Sequence, residues 1–423
     1  MGIKQYLQQK NQHFFRSIKL DENIVDCTHI NEASEVEAEQ AGMTQTSVNA
    51  IWRHVENLYR TGMHPGISFC LRRNGHIVLN RALGHARGAQ TSEGIAPVAM
   101  RTDTPVCLYS ASKAVMAMTV HKLAEEGHID LLDPVAYYLP EFGKNGKQHI
   151  TIHQMLSHRG GFPIVDEEAH KDVLSDRQQI LKLIYNTQAK SPEGRIQAYH
   201  ALTSGFIADE LIRKTTGKTI AEYLKETIAD PMAMENFTFG VAADKQDKVA
   251  RNYITGVKNG KLVEGVLSRV FGASIDEAVE HSNSTAFMQA IVPSANLYAT
   301  AEEIGRFYQM MLDQGRYQDK QIFQATSIRK ATQEASGVKF DKGIYLPMRY
   351  SPGFMLGGKP VGMYGLNTHE AFGHLGFANI FCWADPQRDI SVALLTTGKP
   401  IIGNHIVALP RLLHTISKEC AIK

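Results

Sequence analysis

Cysteine is scarce in this chain of 423 residues, and its few thiols are scattered. None of the five cysteines forms a CxxC pair with another; they are Cys27, Cys70, Cys107, Cys382 and Cys420. An odd number of dispersed cysteines argues against a disulfide framework and against a zinc cluster. We therefore expect buried free thiols, which are usual for unpaired cysteines in a reducing cytoplasm.

Long apolar runs and an excess of one charge are also missing. No apolar stretch approaches the about 20 residues that span a bilayer, and the start of the chain lacks the apolar core and cleavage site of a signal peptide. The 45 Lys and Arg residues nearly balance the 43 Asp and Glu residues. Nucleic-acid binding would require a basic cluster. These absences predict a cytoplasmic protein with no membrane or nucleic-acid partner.

The motifs of several large enzyme classes are absent too. The sequence contains no glycine-rich phosphate loop, no GxGxxG after a strand and no GxSxG nucleophile elbow. The segment from His369-Glu370 to His374 looks like HExxH, but its histidines stand five residues apart. That spacing would put them on different faces of a helix. We expect neither a metal ion nor another cofactor.

Hydrophobic periodicity indicates strands near both ends of the chain and helices in the middle. Two strand-like runs are joined by Asn74-Gly75, a pair that tolerates the positive φ angles of a tight hairpin turn. The predicted helices are 44–62, 110–127, 201–216, 301–315 and 404–417, and the predicted strands are 66–73, 76–83, 372–383 and 390–396.

This order predicts an α+β fold in which one antiparallel sheet is flanked by terminal helices and a mostly helical second lobe is inserted. We expect an N-terminal extension at 1–43, which either packs on the body or mediates a contact between two copies. Residues 44–423 would form one catalytic domain, with an α/β lobe at about 44–127 and 291–423 and a helical lobe at about 128–290. The active site would lie at the seam between the lobes.

The S-x-x-K sequences include Ser110 to Lys113 and Ser327 to Lys330. The second lies in a cationic helix that we interpret as surface. Ser110 stands where an extended segment meets an apolar helix, with Lys113 one turn along. A buried lysine can lose its charge and take the proton of a serine nucleophile. On spacing alone, Ser110 could equally be a helix cap and Lys113 a surface charge.

Further blocks follow this motif in order and cover most of the chain. They are Gly127 to Val135, Ile150 to Gly161, Pro192-Glu193-Gly194 to Tyr199-His200-Ala201, His374-Leu375-Gly376, and Trp383-Ala384-Asp385-Pro386. Together with Ser110 and Lys113 they resemble the serine β-lactamase and penicillin-binding-protein superfamily, in its class C-like branch with the related family VIII carboxylesterases. The resemblance implies the class C β-lactamase and DD-peptidase fold, and it implies that Ser110 is the catalytic nucleophile.

The same resemblance implies roles for the other motif residues. Tyr199 would bring its phenol to Ser110 and Lys113 and share a proton with the lysine; otherwise it is a core aromatic. The backbone N–H groups of Ser110 and Phe377 would form the oxyanion hole. Gly376 would leave room for the acyl group beside its strand. His374 would contact the substrate, unless its side chain is purely structural.

Two departures from the family pattern bear on the substrate. His374 stands where a lysine normally binds a carboxylate, and Ala201 replaces a polar residue that would bond a substrate amide. A site without that partner loses its preference for amides. We interpret His158, in a glycine-containing turn, as structural.

The sequence therefore predicts a serine hydrolase that cleaves small-molecule carboxylic esters through an acyl-enzyme on Ser110. Lys113 and Tyr199 would act as general base and acid. The alternatives on the same fold are a β-lactamase, a D-amino peptidase or another amide hydrolase, and an acyltransferase. A catalytically inactive scaffold that forms assemblies is a further alternative, against which the survival of Ser110, Lys113 and Tyr199 argues.

Overall fold

The structure is a computed structural model. It describes residues 15–164, 174–261, 264, 265, 268 and 273–423, except residues 19, 22 and 192. Within this part of the chain, ten strands form one antiparallel sheet. They are β1 (Thr28–Ile30), β2 (Gly66–Arg73), β3 (His76–Arg87), β4 (Val98–Ala99), β5 (Ser336–Asp341), β6 (Leu346–Tyr350), β7 (Met355–Leu356), β8 (Phe372–Gly376), β9 (Ile380–Asp385) and β10 (Ile390–Thr396).

The sheet joins the two ends of the chain. Its order is β5-β6-β7-β8-β9-β10-β2-β3-β1, and β4 pairs with β3. The pairing of β10 with β2 runs from Ile390 opposite Arg73 to Thr396 opposite Ile67. Such non-local pairing costs chain entropy, because it closes the long loop between the two strands. The predicted α+β fold is confirmed.

Strand β10 explains how the sheet separates two cores. All seven of its residues are buried, and successive side chains of a strand point to opposite faces. Val392 and Leu394 enter one hydrophobic cluster, whereas Ala393 and Leu395 enter the other. This fully buried strand is therefore covered on both faces.

Helices supply both covers. The helices of eight or more residues are α1 (Gln45–Tyr59), α2 (Ser112–Glu125), α3 (Arg177–Asn186), α4 (Thr203–Thr216), α5 (Ile275–Ser282), α6 (Ala301–Leu312), α7 (Ala325–Thr332) and α8 (His405–Glu419). Helices α1 and α8 contact each other over one face, and α6 packs on β2, β9 and β10 over the other. Helix α2 contacts α4, α7 and β8, so it lies between the sheet and the helical middle of the chain.

Shorter helical segments and strands complete the described part. The helical segments are Ala38–Ala41, Thr91–Glu93, Tyr109–Ala111, Val135–Tyr138, Pro140–Gly143, Ile152–Leu156, Ile220–Leu224, Lys225–Ala229, Ala243–Lys248 and Thr285–Gln289. The small strands pair as Phe15–Arg16 with Gly256–Val257, Arg316–Tyr317 with Lys320–Gln321, Val361–Gly362 with Gly365–Leu366, and Leu297–Ala299 with both Val106–Cys107 and Thr238–Phe239.

The predicted hairpin is confirmed. Asn74 and Gly75 have φ angles of 52° and 81°, as the tight turn between β2 and β3 requires. The single strand predicted over 372–383 is wrong, because β8 ends at Gly376 and β9 begins at Ile380. Between them Ala378 and Asn379 adopt φ angles of 46° and 77°, so the chain reverses direction there.

The described part of the N-terminal segment packs on the body. Strand β1 pairs with β3 at the edge of the main sheet, and Ile24, Ala41 and Met43 are buried in the cluster beneath α1. Residues 1–14 of the predicted extension lie outside the described residues. The proposed domain boundaries at 43, 127 and 290 stay predictions.

Helix α8 offers a direct test of this packing. Leu412 is 0% exposed against the sheet, whereas Ile406 on the same helix is 51% exposed. We expect Leu412→Ala to lower the free energy of unfolding by about 2–5 kcal/mol, because it leaves a cavity in the core. Ile406→Ala should change it by less than about 0.5 kcal/mol. Equal effects of the two substitutions in chemical denaturation would contradict this packing.

Candidate active site

Ser110 lies in a 3₁₀ turn, Tyr109–Ala111, that directly precedes α2. The predicted helix start at Ser110 is thus two residues early. Tyr109 has a φ angle of 46°, which a bulky residue adopts only where its surroundings hold it. Its hydroxyl lies 2.6 Å from Ser282 Oγ, and its ring centroid lies 5.6 Å from that of Phe377. These contacts hold the turn, and the Ser110 side chain on it stays partly exposed.

The Lys113 side chain is buried beside this serine, and the residue is 2% exposed. Its Nζ lies 3.3 Å from Ser110 Oγ and donates a hydrogen bond of 3.0 Å to the Ser294 carbonyl oxygen. Burial holds the pKa of Lys113 well below its usual value, because removal from water disfavours the ammonium form. The amine is therefore ready to accept a proton from a neighbouring hydroxyl.

The Tyr199 ring covers the lysine, with Lys113 Nζ 4.8 Å from the ring centroid. Burial raises the pKa of Tyr199 above its ordinary value; the Ser110 hydroxyl opposes this rise, and the charge of Asp341 adds to it. The phenol oxygen is buried and has no hydrogen bond of good geometry within the described residues. Both Lys113 and Tyr199 therefore favour their uncharged forms, rather than an ammonium beside a phenolate.

His374 lies on β8 and is also buried. Its Nδ1 is 2.7 Å from the Leu375 carbonyl oxygen, so Nδ1 carries the proton and Nε2 has a free electron pair. Nε2 has no hydrogen-bond partner in the described part of the chain. Burial and the nearby Lys113 lower the pKa of His374 to about 3. A neutral imidazole thus stands 6.1 Å from the Tyr199 ring, measured between centroids.

Gly376 lies against the segment that leads into the Ser110 turn. A methyl group built on it would lie 2.3 Å from the Leu108 carbonyl oxygen and 2.8 Å from Ile380 Cβ. The position of a side chain on Gly376 is therefore filled by the backbone that leads into the Ser110 turn, and the glycine lets β8 approach that turn. That Gly376 also leaves room for an acyl group stays a prediction.

The structure brings His158 into the same site. Its ring centroid lies 4.7 Å from that of Tyr199 and 4.6 Å from that of Tyr350, and its φ angle is 58°. Its Nδ1 accepts a hydrogen bond of 3.1 Å from the His200 backbone N–H. The structural interpretation of His158 is thus compatible with its contacts, and those contacts are with the catalytic candidate Tyr199.

Sequence reasoning missed Asp341. Its carboxylate accepts a hydrogen bond from the Tyr199 backbone N–H at 3.0 Å. The two residues stand 142 positions apart, and no local pattern connects them. Pro192, at the start of the tyrosine motif, lies outside the described residues.

The second S-x-x-K sequence does not form such a site. Ser327 is buried, so our prediction that it lies on the surface is wrong. Its helix, α7, packs on α2, and its hydroxyl donates a hydrogen bond of 2.5 Å to Glu125 Oε2. Lys330 is exposed, as expected. A shared motif thus leads to two environments, and only Ser110 is paired with a buried amine.

The described residues offer neither a cluster of metal ligands nor a membrane-spanning helix. Among them no group of three or more His, Cys, Asp or Glu side chains is arranged to hold a metal ion. Over the same residues, every helix is too short or too polar to cross a bilayer.

The family model for beta-lactamases matches residues 53–415, and the chain belongs to this family. A relative named esterase/beta-lactamase LipL, from Mycobacterium tuberculosis, is 28% identical over 69% of each chain. A putative D-alanyl-D-alanine carboxypeptidase of Escherichia coli K12 is 25% identical over 86% of this chain and 85% of its own. The crystal structure of a family VIII carboxylesterase superimposes with a TM-score of 0.76 at 25% identity, over 90% of this chain and 99% of that one. The protein is a hydrolase of the beta-lactamase fold, and the resemblance drawn from the motifs is confirmed.

The contact at Gly376 predicts a localised effect on Ser110. We expect Gly376→Ala to slow the labelling of Ser110 by a fluorophosphonate at least about tenfold, because the added methyl group displaces the serine turn and misplacement of about 1 Å can cost 100-fold. Gly337→Ala is the control, since nothing lies within 4 Å of a methyl group there. Equal labelling rates for both variants would show that the close approach is unimportant.

Proposed function

We propose that this protein is a serine carboxylesterase. Ser110 attacks the ester carbonyl, the alcohol leaves, and water then releases the acid from the acyl-enzyme. The observation that carries the proposal is the buried amine of Lys113, 3.3 Å from Ser110 Oγ and with a pKa lowered by burial. A serine hydroxyl is a weak nucleophile until a neighbouring base accepts its proton, and an uncharged amine at this distance is such a base.

Acylation then uses Lys113 and Tyr199 together. One N–H of the amine is bound to the Ser294 carbonyl, which leaves the nitrogen's electron pair for the proton of Ser110. As the tetrahedral intermediate collapses, Tyr199 gives its phenol proton to the departing alkoxide and regains a proton from Lys113. The raised pKa of Tyr199 keeps that proton on the phenol until the leaving group needs it.

The developing negative charge on the carbonyl oxygen needs donors in place before the reaction. We assign this role to the backbone N–H groups of Ser110 and Phe377. The close approach of Gly376 to Leu108 supports the assignment, since it holds the two segments that carry these groups together. Two donors preorganised in this way are worth several kcal/mol of barrier, by comparison with about 2.7–4 kcal/mol for a single donor.

Deacylation runs the same proton transfers in the opposite sense. Tyr199 and Lys113 take a proton from the attacking water, and the proton returns to Ser110 when the acid leaves. Nucleophile, base and acid are all side chains of this chain, so the reaction needs no cofactor.

An ester is favoured over an amide or a lactam by two features of the site. The neutral imidazole of His374 attracts a substrate carboxylate less than a lysine would. Ala201 offers no polar group to a substrate amide. Similarity to an esterase/beta-lactamase and to a carboxylesterase is compatible with this choice, and the substrate class we propose is a small-molecule carboxylic ester.

The covalent intermediate can be tested directly by intact-protein mass spectrometry after brief exposure to a panel of esters. We expect the wild-type protein to gain the mass of the acyl group and Ser110→Ala to gain none. Ser327→Ala, in the second S-x-x-K sequence, is the matched control and should be acylated normally. An acyl adduct that persists in Ser110→Ala would contradict the proposal.

The pH dependence tests the role of Lys113. The amine is a base only when neutral, and its pKa is lowered, so kcat/KM should rise with pH and level off below the ordinary titration range of a lysine. Lys113→Arg should lose activity about 100- to 10,000-fold, because a guanidinium stays charged and cannot accept the proton. Lys330→Arg is the control, and a similar loss in both variants would count against Lys113 as the base.

Substrate preference is tested by measuring p-nitrophenyl butyrate and a chromogenic cephalosporin in parallel. We expect the ester to have the higher kcat/KM. A strong preference for the cephalosporin would make β-lactam hydrolysis the primary activity of the same site.

A further inference from the structure

Tyr199 lies in a segment that is neither helix nor strand, since residues 197–200 have no regular structure. The position of its phenol must therefore be set by contacts with other parts of the molecule. We propose that Asp341 is the positioning residue of Tyr199: its buried carboxylate holds the backbone of the tyrosine segment so that the phenol reaches Ser110 and Lys113. This inference rests on the proposed function, in which Tyr199 transfers protons.

The Asp341 carboxylate is 0% exposed and is surrounded by donors. Its Oδ1 accepts hydrogen bonds from the backbone N–H groups of Tyr199, Gly343 and Ile344, at 3.0, 2.7 and 3.1 Å. Its Oδ2 accepts one from the Tyr350 hydroxyl at 3.1 Å. Through these donors the Asp341 side chain ties the tyrosine segment to both strands of the β5–β6 hairpin. Hydrogen bonds to an ionised acceptor are stronger than those between neutral groups.

The rest of the hairpin supports the same segment. The Lys342 backbone N–H donates to the Gln197 carbonyl oxygen at 2.9 Å. The Gln197 amide donates to the carbonyl oxygens of Lys339 and Met348, at 3.3 and 3.2 Å. A methyl group on Gly343 would lie 2.8 Å from the Tyr199 nitrogen. The hairpin and the segment are therefore in direct contact, with Asp341 bonded to the catalytic residue itself.

His158 holds the segment from the opposite side. Its carbonyl oxygen accepts from the Ala198 N–H at 2.9 Å, and its ring nitrogen accepts from the His200 N–H at 3.1 Å. The residues before and after Tyr199 are thus bonded to one loop, and Tyr199 is bonded to Asp341. Loss of the carboxylate would release one side of this arrangement and leave its backbone donors unsatisfied.

The decisive test combines Asp341→Ala with Tyr199→Phe and measures kcat/KM for p-nitrophenyl butyrate and ethyl butyrate. Ethoxide needs a proton as it leaves, whereas nitrophenolate does not. We expect Asp341→Ala to lower kcat/KM for ethyl butyrate about 10- to 100-fold and to affect the nitrophenyl ester less. Tyr199→Phe should produce the same pattern.

The double variant should then be no more than about threefold worse than Tyr199→Phe alone, because a displaced ring without its hydroxyl has nothing further to lose. Asp341→Asn keeps an acceptor oxygen for the Tyr199 N–H and should recover most of the activity. Asp385→Ala is the matched control: Asp385 is also 0% exposed and accepts from the Gln387 N–H at 3.0 Å, in the turn between β9 and β10. Asp385→Ala should leave the ratio of the two ester activities unchanged.

Different failures have different meanings. The positioning role is overturned, and the proposed function stands, if the losses in kcat/KM caused by Asp341→Ala and Tyr199→Phe multiply in the double variant. The same conclusion follows if Asp385→Ala changes the ratio of ester activities as much as Asp341→Ala does. If Tyr199→Phe alone retains wild-type activity on both esters, the proposed function fails and the inference fails with it. If Asp341→Ala does not fold, Asp341→Asn is measured in both backgrounds, and a loss in Asp341→Asn that multiplies with the loss in Tyr199→Phe would overturn the positioning role.

Discussion

The burial of the Lys113 amine beside Ser110 is the interaction on which the rest of the site depends. Helix α2 is buried over most of its surface, so the lysine cannot reach water as its length would otherwise allow. In the described part of the chain no carboxylate pairs with it, and burial alone accounts for its lowered pKa. A carboxylate in contact with the amine would stabilise its ammonium form and remove the base. The apolar surroundings of α2 thus have a chemical consequence as well as a packing one.

Around this amine the molecule assembles segments that are distant in sequence. The serine turn, the tyrosine segment and strand β8 meet because contacts with other residues position each of them. Gly376 lets β8 approach Leu108, and Asp341 bonds the N–H of Tyr199. The tyrosine segment has no regular secondary structure, so its backbone donors depend on side chains such as these. Residues without a role in proton transfer therefore determine whether the residues that have one can act.

Local patterns predicted those parts of the fold in which neighbouring residues decide the conformation. Asn74-Gly75 predicted a hairpin because few residues tolerate positive φ angles, and the spacing of Ser110 and Lys113 predicted that they share one helix end. The strand assigned to 372–383 was wrong because the assignment passed over Asn379, a residue typical of turns, which adopts a φ angle of 77°. The surface interpretation of Ser327 was wrong because its helix packs on α2, where Glu125, about 200 residues away in sequence, accepts a hydrogen bond from the Ser327 hydroxyl.

The sequence by itself determined strand β10, the hairpin of β2 and β3, and the presence of a hydroxyl, an amine and a phenol in the order typical of the family. Tertiary structure decided that these groups lie together and uncharged. The physical reason is that a side chain's pKa and partners depend on how much water its whole surroundings exclude. Those surroundings come from the pairing of strands contributed by the two ends of the chain, which no short stretch of residues encodes.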